Sequence, residues 1–569
     1  MSGHKKISII GTTVVLLIII TAGVIALINK FTPSDKVMLL TDYYQVGADE
    51  ALVIMQDSIY EKKGILEDKH VYLDFNTIKN TFNKRFYWDS KEQVFSYTTP
   101  NEVITAGPEQ LNYYSNNEEK TSEYPIVKIK NDMVYIAIDF VEQHSDMEFS
   151  YYENPNRVVI SYKWGDYLFT NVKKQTQLRY EPNIKSDILA ELSIGDLLTF
   201  VDTSETTGNN FSKVMTKDGV IGYVKNNHVE ESEYSTLVSK YIPREYSHIS
   251  MEGDVNLVWH QVTNQDANNN LLQLLGATTG VNVVSPTWFK LADNDGNIAS
   301  LADKSYVEKA HENGVAVWAL VDDFNAEVDK FKLLSSTSAR AHLINELMLK
   351  VAAYDIDGIN IDFEKVPQDA GEHFIQFIRE LSVICRNEGI VLSIDNYVPT
   401  SYNAFYNWNE QGQVADYVIV MAYDEHHSGS EVSGSVSSIG FVQNAVTEIL
   451  NNVPKERVIM ALPFYTRQWK EETGDDGEVT VTSQAYGMQT AQNILEQNGV
   501  TPKWDDATGQ YYGEYTLEGA VYKIWLEEEE SLEMKLKVIA EADVAGIAGW
   551  KLGLEKTSIW DVIAKYVNE

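Results

Sequence analysis

The stretch Asp357-Gly358-Ile359-Asn360-Ile361-Asp362-Phe363-Glu364 alternates strictly between apolar and polar residues. As a strand it puts Ile359, Ile361 and Phe363 on one face and Gly358, Asn360, Asp362 and Glu364 on the other. The first face suits a layer of helices. The second is costly inside a sheet, at several kcal/mol for each unpaired charge, unless the side chains are used. An edge strand with one wet face is the alternative, although the flanking apolar residues suit cover on both sides. Residues two apart on a strand lie about 6.5–7 Å apart, so Asp362 and Glu364 share a wall. Like charge and burial both raise a carboxyl pKa. Glu364, nearest the strand's C-terminal end, is therefore a candidate proton donor near neutral pH.

From Val255 onward, strands and helices alternate, the pattern of a parallel α/β domain. The spacing predicts strands at Val255–Trp259, Val281–Ser285, Val315–Val321, Gly358–Glu364, Ile390–Asn396, Tyr417–Tyr423, Val458–Leu462 and Ala545–Trp550. Eight strands are consistent with a closed barrel. Helical patterns lie between most of them, as at Ala339–Ala353 and Gly371–Asn387. The long seventh connection carries Val479–Thr482, Lys503–Trp504 and Tyr511–Tyr515, a small β insertion, and a closing helix around Glu528–Glu541. The acidic run Glu527 to Glu530 suits the first turn of that helix.

The expected strand ends carry chemistry. Met421-Ala422-Tyr423-Asp424 closes the sixth, Leu462-Pro463-Phe464-Tyr465-Thr466-Arg467-Gln468-Trp469 follows the seventh, and Gly546-Ile547-Ala548-Gly549-Trp550 is the eighth. Ser285-Pro286-Thr287-Trp288 ends the second. Aromatic faces and fixed polar groups suit sugars. A core reading competes less strongly for Trp550 and Tyr465, while a surface ion pair at Arg467 and a core place for Trp288 compete evenly with substrate binding. His426 and His427 have a zinc-pair reading, but adjacent loop histidines more often face solvent or line a substrate site.

These stretches resemble glycoside hydrolase family 18, the chitinase family. Asp357, Asp362 and Glu364 match its D-x-x-D-x-D-x-E signature, while Asn360 replaces a carboxylate and Thr466 replaces a glycine. The resemblance implies a (β/α)8 barrel with this strand as the fourth and the site at the C-terminal rim. It implies substrate-assisted retaining hydrolysis, in which the substrate's acetamido group is the nucleophile. On that reading Glu364 is acid and base, Asp362 orients the acetamido N–H, Tyr423 holds its carbonyl, and Trp550 is the pocket floor. Asp357 and Asn360 support Asp362 from below, Asn360 by donating a hydrogen bond to it. Asp424, Tyr465, Arg467 and Trp288 bind substrate. No metal or other cofactor is implied. The implied partner is an N-acetylglucosamine-containing polysaccharide, peptidoglycan or chitin-like. A non-hydrolysing chitinase-like carbohydrate-binding wall protein is the alternative, and a structural wall tether a third reading.

Toward the N-terminus, Ile7 to Ile28 is almost wholly apolar and uncharged. As a helix it spans about 33 Å, enough for a hydrocarbon core of about 30 Å. His4, Lys5 and Lys6 precede it and orient residues 1–6 inward. The run is longer than a signal peptide's apolar region. A single-pass membrane anchor over 7–29, with the C-terminal bulk outside the cytoplasm, is the expectation. Residues 36–165 read as an α+β spacer or wall-contact domain. Phe86-Tyr87-Trp88-Asp89 and Val94–Thr99 resemble the copper-amine-oxidase N-terminal-like module, with His70 and His144 lone residues rather than copper ligands. Short strands with Gly and Asp turns over 172–230 suggest a small β-barrel. Their order resembles bacterial Src-homology-3-type domains, with Phe211 where a Trp is frequent, and implies a cell-wall peptide as a possible partner or else a plain spacer. The catalytic barrel is expected over 246–569. The formal net charge of -37 disfavours nucleic acid and anionic headgroups as partners of the body. The single cysteine, Cys385, excludes an intrachain disulfide.

Overall fold

The computed structural model describes residues 3–201 and 210–567, with side chains described from residue 9 onward. His4, Lys5 and Lys6 thus lie outside the described side chains, and residues 202–209 of the expected small domain lie outside the described residues. The chain falls into two compact units, one of residues up to 86 with 106–113 and 119–243, the other of 87–105, 114–118 and 244 onward.

The second unit is built on eight parallel strands, β1 (Val255–His260), β2 (Val283–Pro286), β3 (Ala316–Asp322), β4 (Gly358–Asp362), β5 (Val391–Tyr397), β6 (Tyr417–Met421), β7 (Val458–Pro463) and β8 (Gly546–Trp550). They pair in the order 2-1-8-7-6-5-4-3, and β2 also pairs with β3, which closes the barrel. Each observed strand overlaps its expected one within a few residues. Register explains why both faces of β4 are buried. Ile359 and Ile361 join the outer core with Phe374, Phe377 and Leu381 of helix α2 (Gly371–Glu388). Phe363, one residue past the strand, stacks on Phe377 at 5.8 Å. The opposite face looks into the barrel, where Trp259, Trp318, Leu320, Tyr417 and Ile419 form a separate core.

Helix α1 (Thr337–Tyr354) precedes β4 and begins at Ser336, whose hydroxyl accepts the Ala339 N–H. Its Arg340 is fully buried and pairs with Glu380 of α2 at 2.8 Å. Residues 87–105, expected within one 36–165 domain, group with the barrel instead. The reason is local. Tyr87 lies under the Arg340 guanidinium at 4.8 Å, and Asp89 accepts the Thr337 N–H at 2.8 Å.

The insertion after β7 is larger than expected. Tyr465–Thr473, Val479–Gly487, Lys503–Asp505, Gln510–Leu517 and Ala520–Leu526 form a five-stranded antiparallel sheet. A helix at Met488–Gln497 buries Ala491 and Leu495 against Ile524 and Leu526. The first strand, Thr466-Arg467-Gln468-Trp469-Lys470-Glu471, hides its pattern among charged residues that stay half-exposed. Helix α3 (Glu529–Glu541) closes the insertion with Glu528 as its N-cap.

The first unit opens with a helix, Gly3–Phe31. Its segment Ile9–Phe31 is long and apolar enough to cross a membrane, with mean hydropathy 2.7. An eight-stranded mixed sheet includes Glu50–Met55, His70–Asp74, Met133–Ala137 and Arg157–Ser161. A seven-stranded antiparallel sheet runs from Gly165 to Leu237. Met38, Leu40 and Tyr43, just past the apolar helix, pack on its core beside Leu178, Leu198 and Val224.

Candidate active site

The inner face of β4 places three polar residues in sequence from barrel interior to rim. Asn360 is fully buried, and its amide is saturated. Its Oδ1 accepts the Trp259 indole N–H at 3.0 Å and the Ser285 hydroxyl at 3.1 Å. Its Nδ2 donates to Ser393 Oγ at 3.1 Å and to Asp395 Oδ1 at 2.8 Å. The expected bond from Asn360 to Asp362 is absent, and the amide serves strand five instead.

Asp362 is 5% exposed, and its Oδ1 has no hydrogen-bond partner among the described residues. Burial pushes its carboxyl well above the usual range, and the charges of Asp395, Glu364, Asp323 and Asp322 push the same way. Asp395 is raised by burial too, against the opposing Asn360 hydrogen bond.

Glu364 lies two residues past β4, half-buried. Its backbone N–H donates to Asp323 Oδ1 at 3.0 Å, and its Oε2 accepts the Tyr397 hydroxyl in a close contact. Asp323 also accepts the Lys365 N–H at 2.9 Å. Burial raises the Asp323 carboxyl to about 6, with the Lys365 N–H and Lys330 pulling the other way.

Across the mouth stand Tyr423 and Trp550. Tyr423 is nearly buried and meets Tyr465 edge-on at 6.2 Å. The Tyr465 hydroxyl donates to Asp424, whose backbone is left-handed at φ 59°. Trp550 packs edge-on against Trp259 at 5.8 Å. Asp362, Glu364, Asp395, Tyr423, Asp424, Tyr465 and Trp550, with Trp259, Phe324 and Met421, enclose one cleft of about 140 Å³. An acid at a rim, a buried carboxyl pair and aromatic walls can hold a sugar ring and move protons at one atom.

Three expected site residues are elsewhere. Asp357 sits at the other end of β4, where one oxygen accepts the Val317 N–H at 2.7 Å and meets His311 Nε2 at 2.8 Å. It therefore supports the strand's start rather than Asp362. Trp288 is core, with its indole N–H on Asn268 at 2.8 Å and its ring 4.9 Å from Tyr306. Arg467 lies on the first strand of the insertion and donates to Ser483 at 3.2 Å, outside the cleft lining. His426 Nδ1 meets the Ser435 carbonyl at 2.9 Å, and His427 Nδ1 accepts the Gly429 N–H at 3.1 Å. Among the described residues no three His, Cys, Asp or Glu side chains group as metal ligands.

Asp323, Asp395 and Tyr397 were not expected. The strand Val391-Leu392-Ser393-Ile394-Asp395-Asn396-Tyr397 carries the same alternating signal as β4, with Ser393, Asp395 and Tyr397 on one face.

Residues 219–555, more than half of the chain, match the family described as Glycosyl hydrolases family 18, and the chain belongs to that family. Residues 54–160 match the Copper amine oxidase N-terminal domain. The cortical fragment-lytic enzyme of Bacillus subtilis is 28% identical over 244 residues, covering 42% of this chain and 56% of that one. The match thus spans little more than half of that relative's length. An uncharacterised glycosylase of the same organism is 24% identical over 301 residues, covering 50% of this chain and 85% of its own. The crystal structure of the Bacillus cereus spore cortex-lytic enzyme aligns with a TM-score of 0.50 at 19% identity, over 59% of this chain and 79% of that one. At that identity the likeness concerns the fold.

Proposed function

We propose that this protein is a membrane-anchored, extracytoplasmic hydrolase of β-1,4-linked N-acetylglucosamine polymers. Peptidoglycan is favoured over chitin, on the strength of the apolar helix and the similarity to a cortical fragment-lytic enzyme. The observation that carries the reading is the single cleft in which Glu364 meets Asp362, Tyr423 and Trp550. Glu364 gives its proton to the glycosidic oxygen as the acetamido carbonyl oxygen attacks C1 and the C1–O bond breaks. The product is an oxazolinium ion and a free hydroxyl on the leaving sugar. Water then attacks C1, Glu364 takes its proton, and the acetamido group is regenerated with retained configuration. Asp362 faces the developing positive charge on nitrogen. Tyr423 donates to the acetamido oxygen, Trp550 underlies the sugar, and Asp424 with Tyr465 binds a hydroxyl.

The seven-stranded sheet between Gly165 and Leu237 is read as a Src-homology-3-type domain for wall peptide. Support for this comes from its short antiparallel strands, its Gly and Asp turns and the buried Phe211. Mass spectrometry of products from purified peptidoglycan and chitin oligomers tests the activity. Glu364→Gln should lose nearly all hydrolysis while staying folded, and comparable turnover would reject the assignment. A de-N-acetylated oligomer should be cleaved far more slowly, and equal rates would exclude the acetamido nucleophile.

A further inference from the structure

The family signature puts a carboxylate where this chain has Asn360, next to Asp362 on the same strand. Asn360 is no passive substitute, because every donor and acceptor of its amide is used. Two of those bonds run inward from Trp259 and Ser285, and two run across to β5. The register pairs Asn360 with Ser393 and Ile361 with Ile394, so the next step sets Asp362 beside Asp395. Neighbouring strands lie about 4.8 Å apart. Both carboxyls are almost fully buried and line the same cleft. Asp395 has an oxygen held by the Asn360 N–H at 2.8 Å, while Asp362 keeps an oxygen with no partner among the described residues.

We propose that Asp395 is the positioning carboxylate of Asp362: the two hold one proton between them, and Asn360 fixes Asp395 for that role. The carboxylate missing from strand four has been supplied by strand five. This inference rests on the acetamido-assisted reading above. Two buried carboxyls in one layer do not both ionise readily. In the free enzyme the pair carries one proton and one negative charge. As the acetamido nitrogen becomes positive, the proton settles on Asp395 and the full negative charge on Asp362. No proton enters or leaves the pair, and the shift reverses when the acetamido group is restored. Other groups face Asp362 as well: Glu364 beyond its own strand, and Asp323 and Asp322 at the end of β3. Lys330 acts on both of those aspartates and Lys290 on Asp322. Tyr423 after β6 and Tyr397 at the end of β5 lie in the same field. Of the charges around Asp362, that of Asp395 acts on it most strongly.

The test is the pH profile of kcat/KM on a soluble tetramer of β-1,4-linked N-acetylglucosamine. Asp395→Asn keeps the shape and an acceptor for Asn360 but removes the charge. The basic limb should move to lower pH by about one unit. The double variant Asn360→Asp with Asp395→Asn returns the carboxylate to strand four and should restore the limb. A purely structural Asp395 would instead lower the rate by the same factor at every pH, and that result overturns the proposal. Should Asp395→Asn fail to fold, Asn360→Asp alone decides. It adds a third carboxyl and should move the limb upward, and an unmoved limb overturns the proposal. A wild type that hydrolyses neither tetramer nor wall removes the functional reading and this inference together. Hydrolysis with an unshifted profile removes this inference alone.

Discussion

Asp323 accepts the backbone N–H of Glu364 at 3.0 Å, so a fully buried carboxyl at the end of β3 fixes the chain that carries the candidate acid. Burial raises this carboxyl from 3.8 to about 6. The folded state therefore binds the proton more tightly than the unfolded chain. Its contribution to stability is fully present below about pH 4 and is lost as pH rises through about 6. Two units correspond to roughly 3 kcal/mol. Asp323→Asn keeps an acceptor and cannot ionise. Relative to wild type it should gain about 2 kcal/mol between about pH 4.5 and pH 7.5 in denaturant unfolding. A difference independent of pH would show that Asp323 does not titrate in this window.

Tyr397 donates its hydroxyl to Glu364. Burial first, then the Glu364 charge, raises the phenol well above its usual range, so it stays a donor at every working pH. Hydrogen bonds to charged groups contribute about 1.5–3 kcal/mol. Tyr397→Phe should lower kcat by about 10- to 100-fold, the rate equivalent of that loss, while KM stays close to wild type. A rise in KM at constant kcat would instead place Tyr397 in substrate binding.

The barrel was legible because each of its strands is a short β-rich run bounded by a helical pattern, and the register follows from which face is apolar. Glu364, Asp362, Tyr423 and Trp550 were legible because a polar or aromatic residue at a strand's C-terminal end has few structural uses. Asp395 and Tyr397 carry the same alternation on β5, but a lone carboxylate there is as compatible with an ordinary half-polar strand. Asp323 sits just past β3 in the pair Asp322-Asp323, which reads as the start of a turn. Trp288 misled because sequence does not give the facing of a residue beyond a strand end, and here the ring turns outward onto Tyr306. Asp357 misled because motif membership says nothing of which end of the strand a side chain serves. Residues 87–105 could not be assigned to the barrel, since the contacts of Tyr87 and Asp89 with Arg340 and Thr337 join positions about 250 apart.

Lys535 and Glu527 form a pair with both side chains fully buried, at 2.7 Å from Nζ to Oε2. Gln510 and Ser531 donate to the same carboxylate at 2.6 Å and 3.1 Å. The acidic run thus enters α3 through an interior charge as well as an N-cap. Lys535→Met leaves that carboxylate without its counter-charge and should cost about 3–5 kcal/mol. Adding Glu527→Leu should recover most of the loss, because a buried pair is replaced more cheaply than it is broken. Equal destabilisation of single and double variants would show that packing, not charge, sets the cost.

Gly358 starts the inward face of β4, and the space above it is filled by Trp318 of β3. A methyl group there would lie 2.6 Å from Trp318 Cδ1 and 2.8 Å from Cγ. Trp318 has little room to yield, being fully buried and stacked on Tyr417 at 5.3 Å. Gly358→Ala should therefore cost about 1–3 kcal/mol, the range for overpacking a filled core. The same clash pushes on the strand that holds Asn360, Asp362 and Glu364, so kcat should fall as well. Trp318→Ala removes Cδ1 and Cγ, the atoms nearest the new methyl, so part of the Gly358→Ala loss should be rescued and the double variant should lose less stability and activity than the two single losses added together. The rescue separates two accounts of β4. If Gly358 looked toward the helices, its methyl would meet no tryptophan and Trp318→Ala would add its full loss. Additive losses in thermal unfolding and turnover would then reverse the assignment of faces on which the cleft depends.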